Sequence, residues 1–117
     1  MTTRIIVSVL DGIQLDYYVA RAQGILEFCK DDGEYYAEIN GTPRSISKYG
    51  WHPSTSWEQG GQIIEYEKIQ LQINDNGQWC ANFRDEDIYI TGETPLIAAM
   101  RLYVANRYGE EFNDETI

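Results

Sequence analysis

Thr94-Pro-Leu-Ile-Ala-Ala-Met-Arg-Leu-Tyr-Val-Ala-Asn-Arg-Tyr-Gly109 reads as a helix with both ends marked. Thr94 suits the N-cap, where a side-chain hydroxyl accepts from a backbone N–H of the first turn. Pro95 suits the first helical position, and Gly109 the residue just past the end. Between them Leu96, Ala99, Met100, Tyr103 and Arg107 follow one stripe, which Ile97, Val104 and Tyr108 widen. A stripe of that width needs a sheet to cover. Upstream, Ile69-Gln-Leu-Gln-Ile73 alternates with period two, Asp75-Asn-Gly77 makes a turn, and Gln78–Phe83 returns as the partner strand. Ile88–Ile90 reads as a last short strand. The predicted fold class is α+β, a small antiparallel sheet (a β-meander) packed by two or three helices.

Working outward, Arg4–Leu10 is β-branched and predicts a strand, and Asp11-Gly12 is a turn. From Gln14 to Gln23 the residues Leu15, Tyr18, Val19 and Ala22 share one helical face, with Gly24 as the stop. Ile25–Cys29 and Tyr35–Ile39 read as strands joined through Asp31, Asp32 and Gly33. Asn40–Pro53 is rich in Gly, Ser, Pro and Lys and reads as an irregular loop. A short helical stretch is expected at Ser54–Trp57, interrupted at Gly60-Gly61 and followed by another turn or two over Gln62–Lys68. No internal repeat or low-complexity linker divides the chain, so residues 1–117 are read as one domain.

The 19 acidic against 9 basic residues give a formal charge of −10. That disfavours nucleic acid as a partner, because phosphate contacts need clustered Lys and Arg and the chain has no basic run. Spread along the sequence, the acids serve solubility. A sharper reading is a decoy surface toward a basic host protein, and Glu110, Glu111, Asp114 and Glu115 form a local cluster suited to it. Cys29, Cys80 and the lone His52 are one short of the four ligands of a structural zinc site, so no metal is expected. The two cysteines read as buried thiols of a reducing compartment. The apolar run Ile5–Leu10 is too short for a signal segment or a membrane span. The expected location is the host cell cytoplasm, away from membranes.

The segment Trp51–Gly61 is the candidate ligand-binding site. It places Trp51 and Trp57 around His52, Ser54, Thr55, Ser56 and Gln59. Indoles stack on bases, while hydroxyls and amides hydrogen-bond a base or ribose. Gly60 and Gly61 permit close backbone approach to an anion. Arg101, on the last helix, is the natural cation for a phosphate. The plainer reading of the same residues is an N-cap, two core indoles and a glycine kink, with Arg101 paired to an acid such as Glu65. No catalytic residues are expected: His52 and Ser54 stand too close in sequence to define a triad, and no third group is identifiable. Neither GxxxxGK[ST] nor GxGxxG occurs, so no nucleotide cofactor motif is present.

Pro53-Ser-Thr-Ser-Trp57, Glu58-Gln-Gly-Gly61, Ile63-Ile-Glu65, Thr94-Pro-Leu-Ile-Ala-Ala-Met-Arg101 and Tyr103-Val-Ala105 together resemble the NinX-type proteins of bacteriophages and prophages. Leu15-Asp-Tyr-Tyr-Val-Ala-Arg-Ala22 is similar to that family's opening helix. The chain departs from the pattern at Ser56 and Gln62, and the segment Leu26–Ile46 is not matched to it. The resemblance implies a phage accessory protein and no catalytic residues. With the Trp51–Gly61 chemistry, it gives the expectation of a non-enzymatic, homo-oligomeric binder of a small anionic or nucleotide-like ligand. In a phage such a binder would sequester a host defence signal. The rival expectation is an acidic inhibitor of a host defence or DNA-handling protein.

Overall fold

The computed structural model describes residues 3–24, 28–31, 34–39, 42–45 and 50–117. Strand β1 (Arg4–Ile6) runs into a 3-10 turn (Val7–Val9) and helix α1 (Gly12–Ala22). Strands β2 (Phe28–Asp31), β3 (Glu34–Ile39) and β4 (Thr42–Ser45) follow, then helix α2 (Trp57–Glu67). Strands β5 (Ile69–Ile73), β6 (Trp79–Phe83) and β7 (Tyr89–Gly92) lead into helix α3 (Pro95–Tyr108), and β8 (Glu111–Asn113) closes with a second 3-10 turn (Asp114–Thr116). The fold is α+β, with three helices and three antiparallel sheets, β1-β8, β2-β3-β4 and β5-β6-β7, among the described residues.

Helix α3 is the centre of the core. Leu96, Ala98, Ala99, Met100, Leu102, Tyr103 and Val104 are all buried, each large side chain contributing roughly 1.5–3 kcal/mol. Its caps form as the sequence predicts: Ile97 N donates to Thr94 Oγ1 at 3.1 Å, and Gly109 takes a positive φ of 99°. Across β7 the approach is close enough that a Cβ on Gly92 would stand 2.5 Å from the Ala98 nitrogen. The predicted hairpin is present, with Ile69 opposite Phe83 and Ile73 opposite Trp79. Helix α1 is buried at six consecutive positions, Leu15–Ala20, more than the single face its spacing predicts.

Four elements differ from the sequence reading. Strand β1 ends at Ile6, because Val7 N turns to Glu110 O and Leu10 N closes on Val7 O. Strand β4 lies inside the predicted loop and pairs with β3. Strand β8 forms in the acidic tail, its Phe112 opposite Ile5. Helix α2 passes through Gly60-Gly61 without a break and ends at Lys68 in the left-handed conformation, φ 58°. In the expected hairpin turn, Asp31 pairs with Glu34, while Asp32 and Gly33 lie outside the described residues, as do Ile25 and Leu26.

Candidate functional site

Helix α1 turns a carboxylate inward, and the Trp51–Gly61 segment is built onto it. Asp16 is only 4 % exposed. Ser54 N donates to its Oδ1 at 2.8 Å, and Trp51 Nε1 donates to its backbone carbonyl at 3.0 Å. Burial pushes the Asp16 carboxyl above the usual carboxylate range, against the Ser54 hydrogen bonding and the nearby His52, which favour the charge. Ser54 is 2 % exposed. Its Oγ lies close enough to help hold that charge, yet makes no well-formed hydrogen bond among the described residues.

Gln59 reaches back from α2 and fastens the loop. Its Oε1 accepts from His52 N at 2.7 Å, and its Nε2 donates to Gly50 O at 2.6 Å. Thr55 Oγ1 donates to His52 O at 3.3 Å. Ser56 is the N-cap of α2 and accepts from Gln59 N at 3.3 Å. Much of the hydrogen-bonding capacity that the sequence offers to a ligand is used within the loop itself. Gly60 is a packing glycine: a Cβ there would stand 2.4 Å from Pro53 O and 2.7 Å from a Leu96 methyl. At Gly61 the nearest atom, on the Trp57 ring, is 3.8 Å away.

What remains open is a groove of about 420 Å³ beside α2, lined by Trp51, Gln59, Gln62, Ile63, Tyr66 and two flanking residues, Gln23 and Glu67. Of the candidate residues named from sequence, Trp51 and Gln59 line it; His52, Ser54, Thr55, Trp57, Gly60, Gly61 and Arg101 do not. Trp57 stands on α2 more than half exposed, about half a turn around the helix from Tyr66 at roughly 100° per residue. Arg101 is tethered elsewhere. Its Nε donates to Leu10 O at 2.7 Å and its Nη1 to Thr91 O at 2.9 Å, and burial draws its pKa down. Gln62, Ile63, Tyr66 and Glu67 escape a reading that breaks the helix at Gly60. On a continuous helix, residues 59, 62, 63 and 66 are one stripe, and that spacing is the signal that finds them. Gln23 ends α1, its amide donating to Tyr103 Oη at 2.6 Å.

The acidic tail is engaged with its own chain. Glu115 accepts from Thr3 N at 2.9 and 3.0 Å, bonds that hold its carboxyl below the usual range. Asp114 accepts from Tyr18 Oη at 2.7 Å and Arg21 Nη1 at 3.2 Å, and Glu111 pairs with Arg4. Cys80 is buried as a free thiol. No helix among the described residues is long and apolar enough to cross a membrane.

Fold and groove together define a small α+β protein whose solvent-facing aromatic and amide groups gather along α2. Over residues 6–107 the sequence matches the family model described as bacteriophage P22, NinX, and the chain belongs to that family. None of the curated proteins compared with the chain matches it at a significant level. Membership of that family makes it a phage accessory protein.

Proposed function

We propose that this protein is a non-enzymatic binder of a small nucleotide-like ligand, whose base or nucleoside end enters the groove between Trp51 and α2. One observation carries the reading: two aromatic residues, Trp51 and Tyr66, share a groove of about 420 Å³ with the amides of Gln59 and Gln62. That volume suits a small ligand. Aromatic faces stack on planar rings whatever their identity, and primary amides donate and accept at once, as base edges require. Tyr66 is 83 % exposed, so an occupant would cover apolar surface that water now meets. Among the described residues the groove lining contains no Lys, Arg or His and does contain Glu67. A phosphate is therefore expected to point outward, and Arg101 to take no part. In a phage, such a binder would act by sequestering a nucleotide signal of host defence.

The test is a titration of the purified protein with nucleosides and with mono-, di- and cyclic nucleotides, read as melting temperature. A ligand at a hundred times its Kd stabilises the fold by about 2.7 kcal/mol. The expected result is a shift with at least one compound, abolished by Gln62→Ala. The absence of a shift with every nucleoside and nucleotide overturns the proposal.

A further inference from the structure

We propose that the outer edge of β7 is a docking site for an extended, basic segment of a partner protein, which adds to the sheet as a further strand. Among the described residues strand β7 is an edge strand, paired with β6 alone. The Thr91 carbonyl is held by Arg101, which binds Leu10 O with the same guanidinium. The Thr91 peptide groups therefore face the open edge. Alternation along a strand turns the Tyr89 N–H and C=O to that edge as well, and among the described residues neither makes a backbone bond outside the β6–β7 pairing. An outward donor and acceptor two residues along from a pinned one form the start of a ladder that a peptide can extend.

Side-chain space is adjacent. A cavity of about 340 Å³ runs along the edge between Tyr89–Thr91 and Ile6–Ser8. A second, of about 270 Å³, opens toward α3 at Leu102 and Ala105, and Ile90 and Glu110 border both. An added strand would lay its backbone along the first and send alternate side chains toward the second. Ile88 and Tyr89, 64 % and 55 % exposed, would be covered. Charge selects the occupant. Among the described residues Glu86, Glu110 and Glu111 line these cavities, Glu111 already paired with Arg4, and no Lys, Arg or His lines them. A second copy of the chain, net charge −10, would set these carboxylates against their own counterparts, which disfavours self-pairing. A segment alternating apolar residues with Lys or Arg meets both the pockets and the charge.

The probe is a synthetic peptide, acetyl-(Lys-Val) repeated three times and ended by Lys-amide, followed by fluorescence anisotropy and by amide hydrogen exchange on the intact protein. Binding is expected to slow exchange at the Tyr89 amide and to weaken at ~1 M salt, where the Debye length is about 3 Å. Tyr89→Pro removes an outward N–H that no sheet bond uses, and is expected to weaken binding about tenfold. Should that variant unfold, Glu110→Lys is the second test, with a loss of similar sign. The proposal is overturned if saturating peptide leaves Tyr89 exchange unchanged. It is also overturned if a Glu-Val peptide binds equally well, or if sedimentation shows copies of the chain pairing through this edge. None of these outcomes bears on the Trp51 groove, whose ligand is tested separately.

Discussion

The two sides of α2 obey different rules. On the inner side Gly60 lies against Pro53 and Leu96, with no room for another carbon. On the outer side Gln62 and Tyr66 stand along a groove, and Tyr66 meets mostly water. Ile63, between them, is buried and still borders the groove. The inner side sets where the helix sits, and the outer side sets what it displays. Substitutions on the first should therefore act on stability, and on the second on binding.

The largest effect is expected at Gly60. In Gly60→Ala the added Cβ meets a backbone oxygen at 2.4 Å, so the Pro53 loop or the helix must move. Overpacking of that kind costs on the order of 1–3 kcal/mol, more than the roughly 1 kcal/mol that Ala gains in helix propensity. Chemical denaturation should show a lower midpoint. An unchanged midpoint would mean that the inner side is looser than its geometry. Ser56→Ala comes next. Gln59 N would lose its acceptor, and N-cap deletions cost about 1 kcal/mol. Because Gln59 also fastens His52 and Gly50, faster amide exchange at His52 should accompany the loss. Exchange confined to α2 would separate the cap from the loop.

Gly61→Ala sharpens the contrast, being the adjacent residue with the opposite sign. Its nearest neighbour is in ordinary contact at 3.8 Å, and replacing an unstrained helical glycine stabilises by about 0.4–1 kcal/mol. A raised melting temperature in Gly61→Ala beside a lowered one in Gly60→Ala would assign the pair: one glycine required by packing, the other not. Equal shifts of the same sign would break the distinction.

These two glycines also mark where the sequence stopped being legible. Two consecutive glycines predict a broken helix from propensity alone, since each disfavours the helical state by roughly 1 kcal/mol. Tertiary contact overrides that, because the missing Cβ at Gly60 is what admits Pro53 and Leu96. A helix broken at Gly60-Gly61 hides the stripe of Gln59, Gln62, Ile63 and Tyr66 and leaves the preceding loop as the candidate site. Trp51 and Gln59 were legible and belong to the groove. Thr55 and Ser56 have the residue types of a ligand site but spend their hydroxyls on holding the loop, to which His52 contributes its backbone N–H and carbonyl. Arg101 has the residue type of a phosphate cation or an acid's partner, yet it donates to two backbone carbonyls instead. Helix α3 and the β5–β6 hairpin were legible because their signals are local: caps at both ends in one case, alternation and an Asp-Asn-Gly turn in the other. Strand β8 was not, since its three residues carry one apolar side chain and their partner β1 lies at the other end of the chain.

The smallest expected effect on stability is the one that decides the groove. Tyr66 is too exposed to hold the core together, so Tyr66→Ala should leave the unliganded melting point nearly unchanged, within about 0.5 kcal/mol as for other surface positions. If a base stacks on its ring, the same variant should lose affinity by about 1–3 kcal/mol, the range for base–aromatic contacts. Tyr66→Phe should keep most of that affinity, because stacking needs the ring and not the hydroxyl. Isothermal titration with whichever compound shifts the wild-type melting point distinguishes the cases. Affinity unchanged in Tyr66→Ala would move the ligand off the outer side of α2. Loss in both variants would make the hydroxyl the contact, a hydrogen bond in place of a stack.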